Sequence, residues 1–481
     1  MLPPLLDSIR LDTLKRFADV VERDEAATLF PNLLDAEELT EMLSAQLGRD
    51  MMQTFIDVRL VQAQRNKLQC PSCTHPMEWL RKTPWERGSE QGSVTVTDVY
   101  AYCRTCHESA RPLHQWLGTD RERWSLGVEE LAVDLAADES CEGAAKKLER
   151  HHRGLSVGRT TVLRMMHKHG QLCRDFIQHK LAKAMGPVGL EGRSIGGVLE
   201  LEVEHDGGMI PVARLEPLPT EPGQDRALTP VRALPKRRKN TFWQQVKVGL
   251  VQVPGEVERL YTVRPTHELD EAFDDLLALA CLKGWTEETA VRGIADGARH
   301  IRDRMHDTFN GCAFQFILDR PHAREHLSEA GEALAPLTGI DVQQWADEAL
   351  NRLESGQVMS VVVELRHAYE RPGEDSGDAQ SPNERLRLNA DYFERNKDSV
   401  AYHDYRERGW STASSEVESA HRHVVQVRMK IAGAWWHPDN VANVLALRMV
   451  KANGWWDEYW AEQRARWRER ALRFRGSSFS S

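Results

Sequence analysis

Val198-Leu199-Glu200-Leu201-Glu202-Val203-Glu204-His205-Asp206-Gly207-Gly208 is the stretch from which the fold is read. Residues 198–204 read as a strand, which ends at an acid followed by two glycines. Beyond it, residues 211–240 are rich in proline and charge and read as a mobile loop closing on Pro235-Lys236-Arg237-Arg238-Lys239. Two more strands are expected at 245–253 and 257–263, then a helix over 268–283. A fourth strand ends in Ile294-Ala295-Asp296-Gly297. After a helix, a fifth strand over 314–318 ends at Asp319. A largely helical stretch follows, broken by a polar loop at 372–382, and a late helix opens at Ser415-Glu416-Val417-Glu418-Ser419.

Three strands, a helix, a strand, a helix, a strand and a late helix is the element order of the RNase H-like fold. In such a sheet Asp206 ends the first strand, Asp296 ends the fourth, and Glu418 arrives on the late helix. That convergence suits phosphodiester chemistry. Two divalent ions clamp the attacking and leaving oxygens at an already negative phosphate, and hard ions such as Mg2+ or Mn2+ take carboxylate oxygens. Asp319 competes with Asp296 for the second position, because it also ends a strand. An Asp-Gly at a strand end is more often a turn or cap residue; the order of the elements weighs the other way.

Upstream, Cys70-Pro71-Ser72-Cys73 and Cys103-Arg104-Thr105-Cys106 form two knuckles, joined by an alternating stretch from Ser93 to Tyr100. Four thiolates complete a closed tetrahedral site, so Cys70, Cys73, Cys103 and Cys106 are expected to hold one structural Zn2+ in a zinc ribbon. The other four cysteines read as reduced thiols. Residues 35–67 read as a helix capped by Asp35, whose apolar face through Leu43, Leu47, Met51, Phe55 and Val58 to Val61 is expected to pack as core, the alternatives being another helix or a second copy of the protein. Residues 125–170 read as a helix-turn-helix. Its first apolar face is Leu126, Leu131 and Leu135, and its last helix turns Val162, Leu163 and Met166 inward and Arg159, Thr160, Arg164 and Lys168 outward, towards DNA.

The 481 residues carry a net charge of −10, which by itself argues weakly against nucleic-acid binding. DNA contact must therefore rest on local basic patches: the third helix, Lys236 to Lys239, and an arginine- and tryptophan-rich tail. No apolar run approaches a membrane span and no secretion signal is evident. The fold class expected is multidomain α+β. Residues 1–67 are N-terminal helices, 68–118 the zinc ribbon and 119–190 the helix-turn-helix. Residues 191–325 are the first part of an RNase H-like core, 326–405 a helical insertion, 406–454 the last part of the core, and 455–481 the basic tail.

Residues 196–460 also resemble the ISKra-type insertion-sequence transposases, close to the Mutator-like DDE group. The resemblance rests on His205-Asp206-Gly207, Gln245-Val246-Lys247-Val248-Gly249, Ala295-Asp296-Gly297-Ala298, Val417-Glu418-Ser419-Ala420, Arg428-Met429-Lys430-Ile431-Ala432-Gly433 and Trp436-His437-Pro438-Asp439-Asn440-Val441. Asp319-Arg320-Pro321-His322 looks like the group's motif of Cys or Asp, two residues, then His. The resemblance implies Asp206, Asp296 and Glu418 as the triad holding two metal ions, with Asp319 and His322 in support and Arg428 and Lys430 among the DNA contacts. It also implies DNA partners (element ends and target), a homodimer or larger assembly on DNA, and a place in the bacterial cytosol. The sequence departs from the group at Ala413-Ser414-Ser415, where a Gly-Ser-Gly turn is usual, and at Trp435, where a basic residue is expected. The rival readings are a non-catalytic DNA-binding derivative, a nuclease of the same fold, and a zinc-stabilised scaffold.

Overall fold

The structure, a computed structural model, describes residues 32–65, 69–70, 72–111, 123–152, 155–186, 197–217, 237–369 and 381–478. The chain divides into two compact units. One comprises Met1–Ala136, Cys141–Leu163 and Trp460–Ser481, the other Ala137–Ser140 and Arg164–Tyr459. No helix among the described residues is long and apolar enough to cross a membrane.

In the first unit a long helix, α1 (Leu33–Arg65), precedes an antiparallel sheet of β1 (Glu78–Ser89), β2 (Gly92–Tyr102) and the short β3 (Ser109–Ala110). The cap of α1 is Asn32, not Asp35: Asn32 Oδ1 accepts the Asp35 N–H at 3.0 Å, an N-cap acceptor satisfying an otherwise free donor. The expected apolar face is largely exposed among the described residues, with Ile56 buried and Leu43, Leu47, Met51, Phe55 and Val58 not. The helix docks on β2 through a polar pair instead. Gln53 Nε2 donates to Thr95 O (2.9 Å) and Thr95 N donates to Gln53 Oε1 (2.8 Å).

Two helices follow, α2 (Leu126–Asp138) and α3 (Cys141–His151), and then α4 (Arg159–Met185). In α2 the buried apolar residues are Val128, Ala132, Val133, Ala136 and Ala137, while the expected Leu126, Leu131 and Leu135 are only partly covered. In α4, Val162 and Met166 are buried as expected, but Leu163 is exposed.

The second unit is built on a five-stranded mixed sheet: β4 (Glu200–Pro217), β5 (Arg237–Gln252), β6 (Arg259–Pro265), β7 (Ala290–Ala295) and β8 (Phe314–Leu318), in the order β6-β5-β4-β7-β8. β4, β5 and β6 pair antiparallel, while β4–β7 and β7–β8 are parallel. This is RNase H-like topology. β7 after Ala290 and the end of β8 are buried, as parallel strands covered on both faces must be.

Between the strands lie α5 (Leu269–Leu282) and α6 (Arg299–Thr308). His205 points to the α5 side and stacks on Phe273 at 5.0 Å. Among the described residues, β8 is followed by α7 (Arg320–Thr338), α8 (Val342–Glu354), α9 (Val358–Tyr369), α10 (Pro382–Arg395) and α11 (Tyr402–Glu407). Their shared core includes Ile294, Ile317 and Leu318 of the sheet. The chain then returns as α12 (Ser415–Ala420), a π-helical turn His421–Gln426, a last turn Val427–Met429, and α13 (Pro438–Ala452). Asn453 fixes the end of α13 to β6, exchanging hydrogen bonds with both backbone groups of Tyr261 (2.7 and 2.9 Å). The tail after Trp455 is a helix, α14 (Trp456–Ser478).

Residues 211–217 and 237–240, expected in a loop, are strand. The antiparallel ladder runs unbroken from Glu202–Gln252 to Pro217–Arg237, so β4 does not stop at Asp206-Gly207-Gly208. Those glycines serve close packing rather than a turn. A Cβ on Gly207 would come 2.9 Å from Lys247 Nζ, and one on Gly208 2.7 Å from the His421 ring.

Candidate active site

The last paired residues of β4 and β7 are His205 and Ala295. Asp206 and Asp296 are the next residues, each one past the last pair of the parallel ladder, and the Lys247 ammonium feels the charge of both. Asp296 sits in a tight turn. Its Oδ1 accepts the Ala298 N–H (2.9 Å), its carbonyl accepts the Tyr392 hydroxyl (2.7 Å), and Gly297 takes φ +73°, a value that favours glycine.

Cationic and imidazole groups surround the two carboxylates. The Lys247 ammonium is buried, which pushes its pKa below the usual lysine range against the pull of Asp296 and Asp206. His421 Nε2 lies 3.4 Å from Asp206 Oδ2. Burial holds that imidazole below its ordinary pKa, opposed by the Asp206 charge. His421 begins the π-helical turn, an irregularity found often at functional positions.

Glu418 is elsewhere. Its side chain is 65% exposed and paired with Arg422 at 2.8 Å. Among the described residues no three carboxylates come within chelating distance. The one group of three or more metal-ligating side chains close enough to share an ion is the four cysteines.

The helix carrying Glu418 is pinned by two buried acids from the sheet. Glu204, two residues before Asp206 on β4, accepts the Val417 N–H at 2.7 Å. Burial pushes its carboxyl up to about 8, against that hydrogen bond. Asp319, after β8, accepts the Ser414 N–H (2.7 Å) and hydroxyl (3.0 Å) through Oδ1, and the His322 N–H (3.0 Å) and ring Nδ1 (2.6 Å) through Oδ2. Burial raises the Asp319 pKa, but these bonds outweigh it and hold the group below the usual carboxylate range. His322 is pushed up to about 9 by its Asp319 bond, with burial opposing and Asp206 and Glu325 adding to the rise. The Asp319 bond therefore favours its cationic form at neutral pH, and the ring stands close enough to Asp206 to feel that charge. Asp319 has both oxygens committed to holding structure, whereas Asp296 commits Oδ1 to its own turn and Asp206 meets His421 through Oδ2.

No family model matches the sequence, and no curated protein matches it.

The cysteine site is built from two equivalent knuckles. Cys70 N donates to His75 O (2.8 Å) and Thr74 N to Cys70 O (2.9 Å); Cys103 N donates to Glu108 O (2.9 Å) and His107 N to Cys103 O (2.9 Å). Thr74 and His107 hold matching positive φ values of 60° and 62°. The sulfurs of Cys70 and Cys106, Cys73 and Cys103, and Cys73 and Cys106 are 3.3, 3.5 and 3.4 Å apart. Ligands bound at about 2.3 Å around a tetrahedral ion would sit about 3.8 Å apart, so the four thiols fit one such ion closely. The backbone N–H of Cys106, aimed at the Cys103 thiol, lowers its pKa to about 6.

Of the expected DNA-contacting residues, Arg159, Thr160, Arg164 and Lys168 are exposed along one helix, and Arg237, Arg238, Lys239 and Lys430 are also exposed. Lys236 lies outside the described residues. Arg428 is a correction. It is 3% exposed, with its guanidinium stacked 4.4 Å from the Trp436 ring, on the inward side of its helical turn. It cannot touch a phosphate in this conformation.

Sequence reasoning missed Glu204, Lys247 and His421. A signal existed for Glu204, an acid alternating with Leu201 and Val203 in a strand too central to expose it. Nothing in the sequence distinguishes His421 from His423, which is exposed.

Proposed function

We propose that the chain is a DDE-type DNA transposase of an insertion sequence, cutting and joining DNA at Asp206 and Asp296. The observation that carries this reading is the pair of aspartates one residue past the last pair of the parallel β4–β7 ladder, at the centre of an RNase H-like sheet. Two carboxylates so placed suit a hard divalent cation; the third, Glu418, does not reach them in this conformation. Mg2+ held there would polarise the scissile phosphate and lower the barrier to in-line displacement.

The chain's own groups have definable parts. Asp206 and Asp296 are the residues that would hold the cation. Lys247 balances their charge from within the sheet. His322, kept protonated by Asp319, offers a hydrogen-bond donor and a positive charge to a phosphate oxygen. Glu204 and Asp319 fix where α12 begins, and so where Glu418 can swing. The cysteine knuckles, as a zinc ribbon, and α2 to α4, as a helix-turn-helix, would recognise the element ends, with Arg159, Thr160, Arg164 and Lys168 towards the groove.

One observation favours a second reading. Glu418 faces solvent and pairs with Arg422, as it would in a DNA-binding derivative that no longer cuts. Incubating the protein with labelled element ends, a supercoiled target and Mg2+ separates the two. Joined products that vanish in Asp296→Ala support the transposase. Cleavage without joining supports a nuclease. Specific end binding without any Mg2+-dependent product supports the non-catalytic derivative.

A further inference from the structure

The β4–β5 hairpin outruns its sheet. β7 leaves β4 after His205 and β6 leaves β5 at Val246, yet β4 and β5 remain paired out to Pro217 and Arg237. The outer part is a two-stranded ribbon, with residues 237–243 all exposed. Its base is braced where Ala213 N donates to Trp436 O at 2.8 Å.

Side chains alternate strictly along such a ribbon, and residues directly opposite share a face. Val212 pairs with Phe242, Arg214 with Asn240 and Glu216 with Arg238. All six stand an even number of residues from Asp206 or from its partner Val248, so they share the face that carries Asp206. On that face Arg214 and Arg238 have no carboxylate partner among the described residues, and Glu216 accepts a hydrogen bond from Asn240 (3.1 Å). Phe242 is 37% exposed, and the Arg214 guanidinium lies 5.9 Å from its ring. Phe242, Arg214 and His267 border a cavity of about 680 Å³ at the ribbon's base. The opposite face holds Trp243, Lys239 and Arg237.

More than a third of Phe242 is left open beside two arginines that no carboxylate among the described residues holds. This arrangement matches a polyanion that also presents flat rings. Alternating positive charge and stacking surface is how proteins hold single-stranded nucleic acid. Phe242 is six residues along the ladder from the partner of Asp206, about 20 Å at the rise of a strand, a span of a few nucleotides.

We propose that the Asp206 face of this ribbon binds an unpaired stretch of a DNA strand, with Phe242 stacked on a base and Arg214 and Arg238 on phosphates, a few nucleotides from the two aspartates. The assignment rests on the reading of the chain as a DNA-processing enzyme and adds where the opened strand lies.

The test is fluorescence anisotropy with the full, zinc-loaded chain and no added Mg2+, using a short labelled duplex that is either blunt or carries a single-stranded thymine extension. The extended duplex should bind about tenfold more tightly than the blunt one. Phe242→Ala should remove that preference and Phe242→Trp should restore it, while Trp243→Ala, on the other face, should leave it. Arg238→Ala should lower the slope of log affinity against log salt by about 0.7. Thermal melting checks that each variant folds. An unchanged preference in folded Phe242→Ala overturns the proposal, as does equal binding of blunt duplex or polyglutamate by the wild type. Loss of Mg2+-dependent cleavage with the preference intact counts against the transposase reading alone.

Discussion

His421 Nε2 stands 3.4 Å from the Asp206 carboxylate, while Glu418, three residues earlier on the same helix, pairs with Arg422 in solvent. Residues three apart on a helix differ by about 60° around its axis. A modest rotation of this segment, already irregular at its π turn, would therefore exchange the two side chains. If Glu418 enters the site in this way, Glu418→Gln should cut Mg2+-dependent cleavage by on the order of 10³-fold or more. Arg422→Ala should leave cleavage at or above wild type. A Glu418→Gln protein as active as wild type would remove Glu418 from the site.

Asp319 and Asp296 should separate cleanly when each is replaced. Asp319→Ala strands the Ser414 N–H and the His322 cation, so it should lower unfolding stability by about 3 kcal/mol in a urea titration. Asp296→Ala removes one turn hydrogen bond and should cost about 1 kcal/mol or less, yet abolish cleavage. The reverse pattern would make Asp319 the second acid.

The pH dependence of the same pair has a definite sign. His322 has its folded pKa raised to about 9, so its contribution is full below the unfolded value of about 6.5 and is lost as pH rises through about 9. Asp319 has its pKa lowered, so its contribution is present above the unfolded value of about 3.9 and is lost as pH falls through its folded value. The stability gap between wild type and His322→Ala should therefore be widest near pH 6 and close by pH 10. A gap that grows above pH 9 would contradict the assigned pairing.

The cysteine knuckles should bind one zinc ion per chain, measured by metal analysis of protein purified without added metal. Cys103→Ser should lose the ion and weaken the β1–β2 hairpin, whose buried core shares Cys70 and Cys103. Full zinc content in that variant would place the metal elsewhere.

The order of the RNase H-like elements was legible because each strand has its own apolar pattern and ends at a polar punctuation, as at Asp296-Gly297 and Asp319. The β4–β5 ribbon was not. Pro211 and a run of charge suggest a loop, and only the cross-strand ladder, a long-range feature, shows that 211–217 pairs with 237–243. Gly207-Gly208 reads as a turn because sequence does not reveal that Lys247 and His421 press on the strand there. The cysteine site was fully legible, since two Cys-x-x-Cys knuckles carry their geometry locally. The place of Glu418 was not, because the direction of a side chain on a short helix depends on what pins that helix. Here the pins are Glu204 and Asp319, from strands far away in sequence.

The central claim is that Asp206 and Asp296 together form the metal-dependent cutting site. Its most direct test is cleavage of labelled element-end DNA across a Mg2+ titration by wild type, Asp206→Asn and Asp296→Asn. The account predicts cleavage by wild type that rises with Mg2+, and none by either folded variant at any Mg2+ concentration. Cleavage by either variant at the wild-type rate, or wild-type cleavage indifferent to Mg2+, would contradict it.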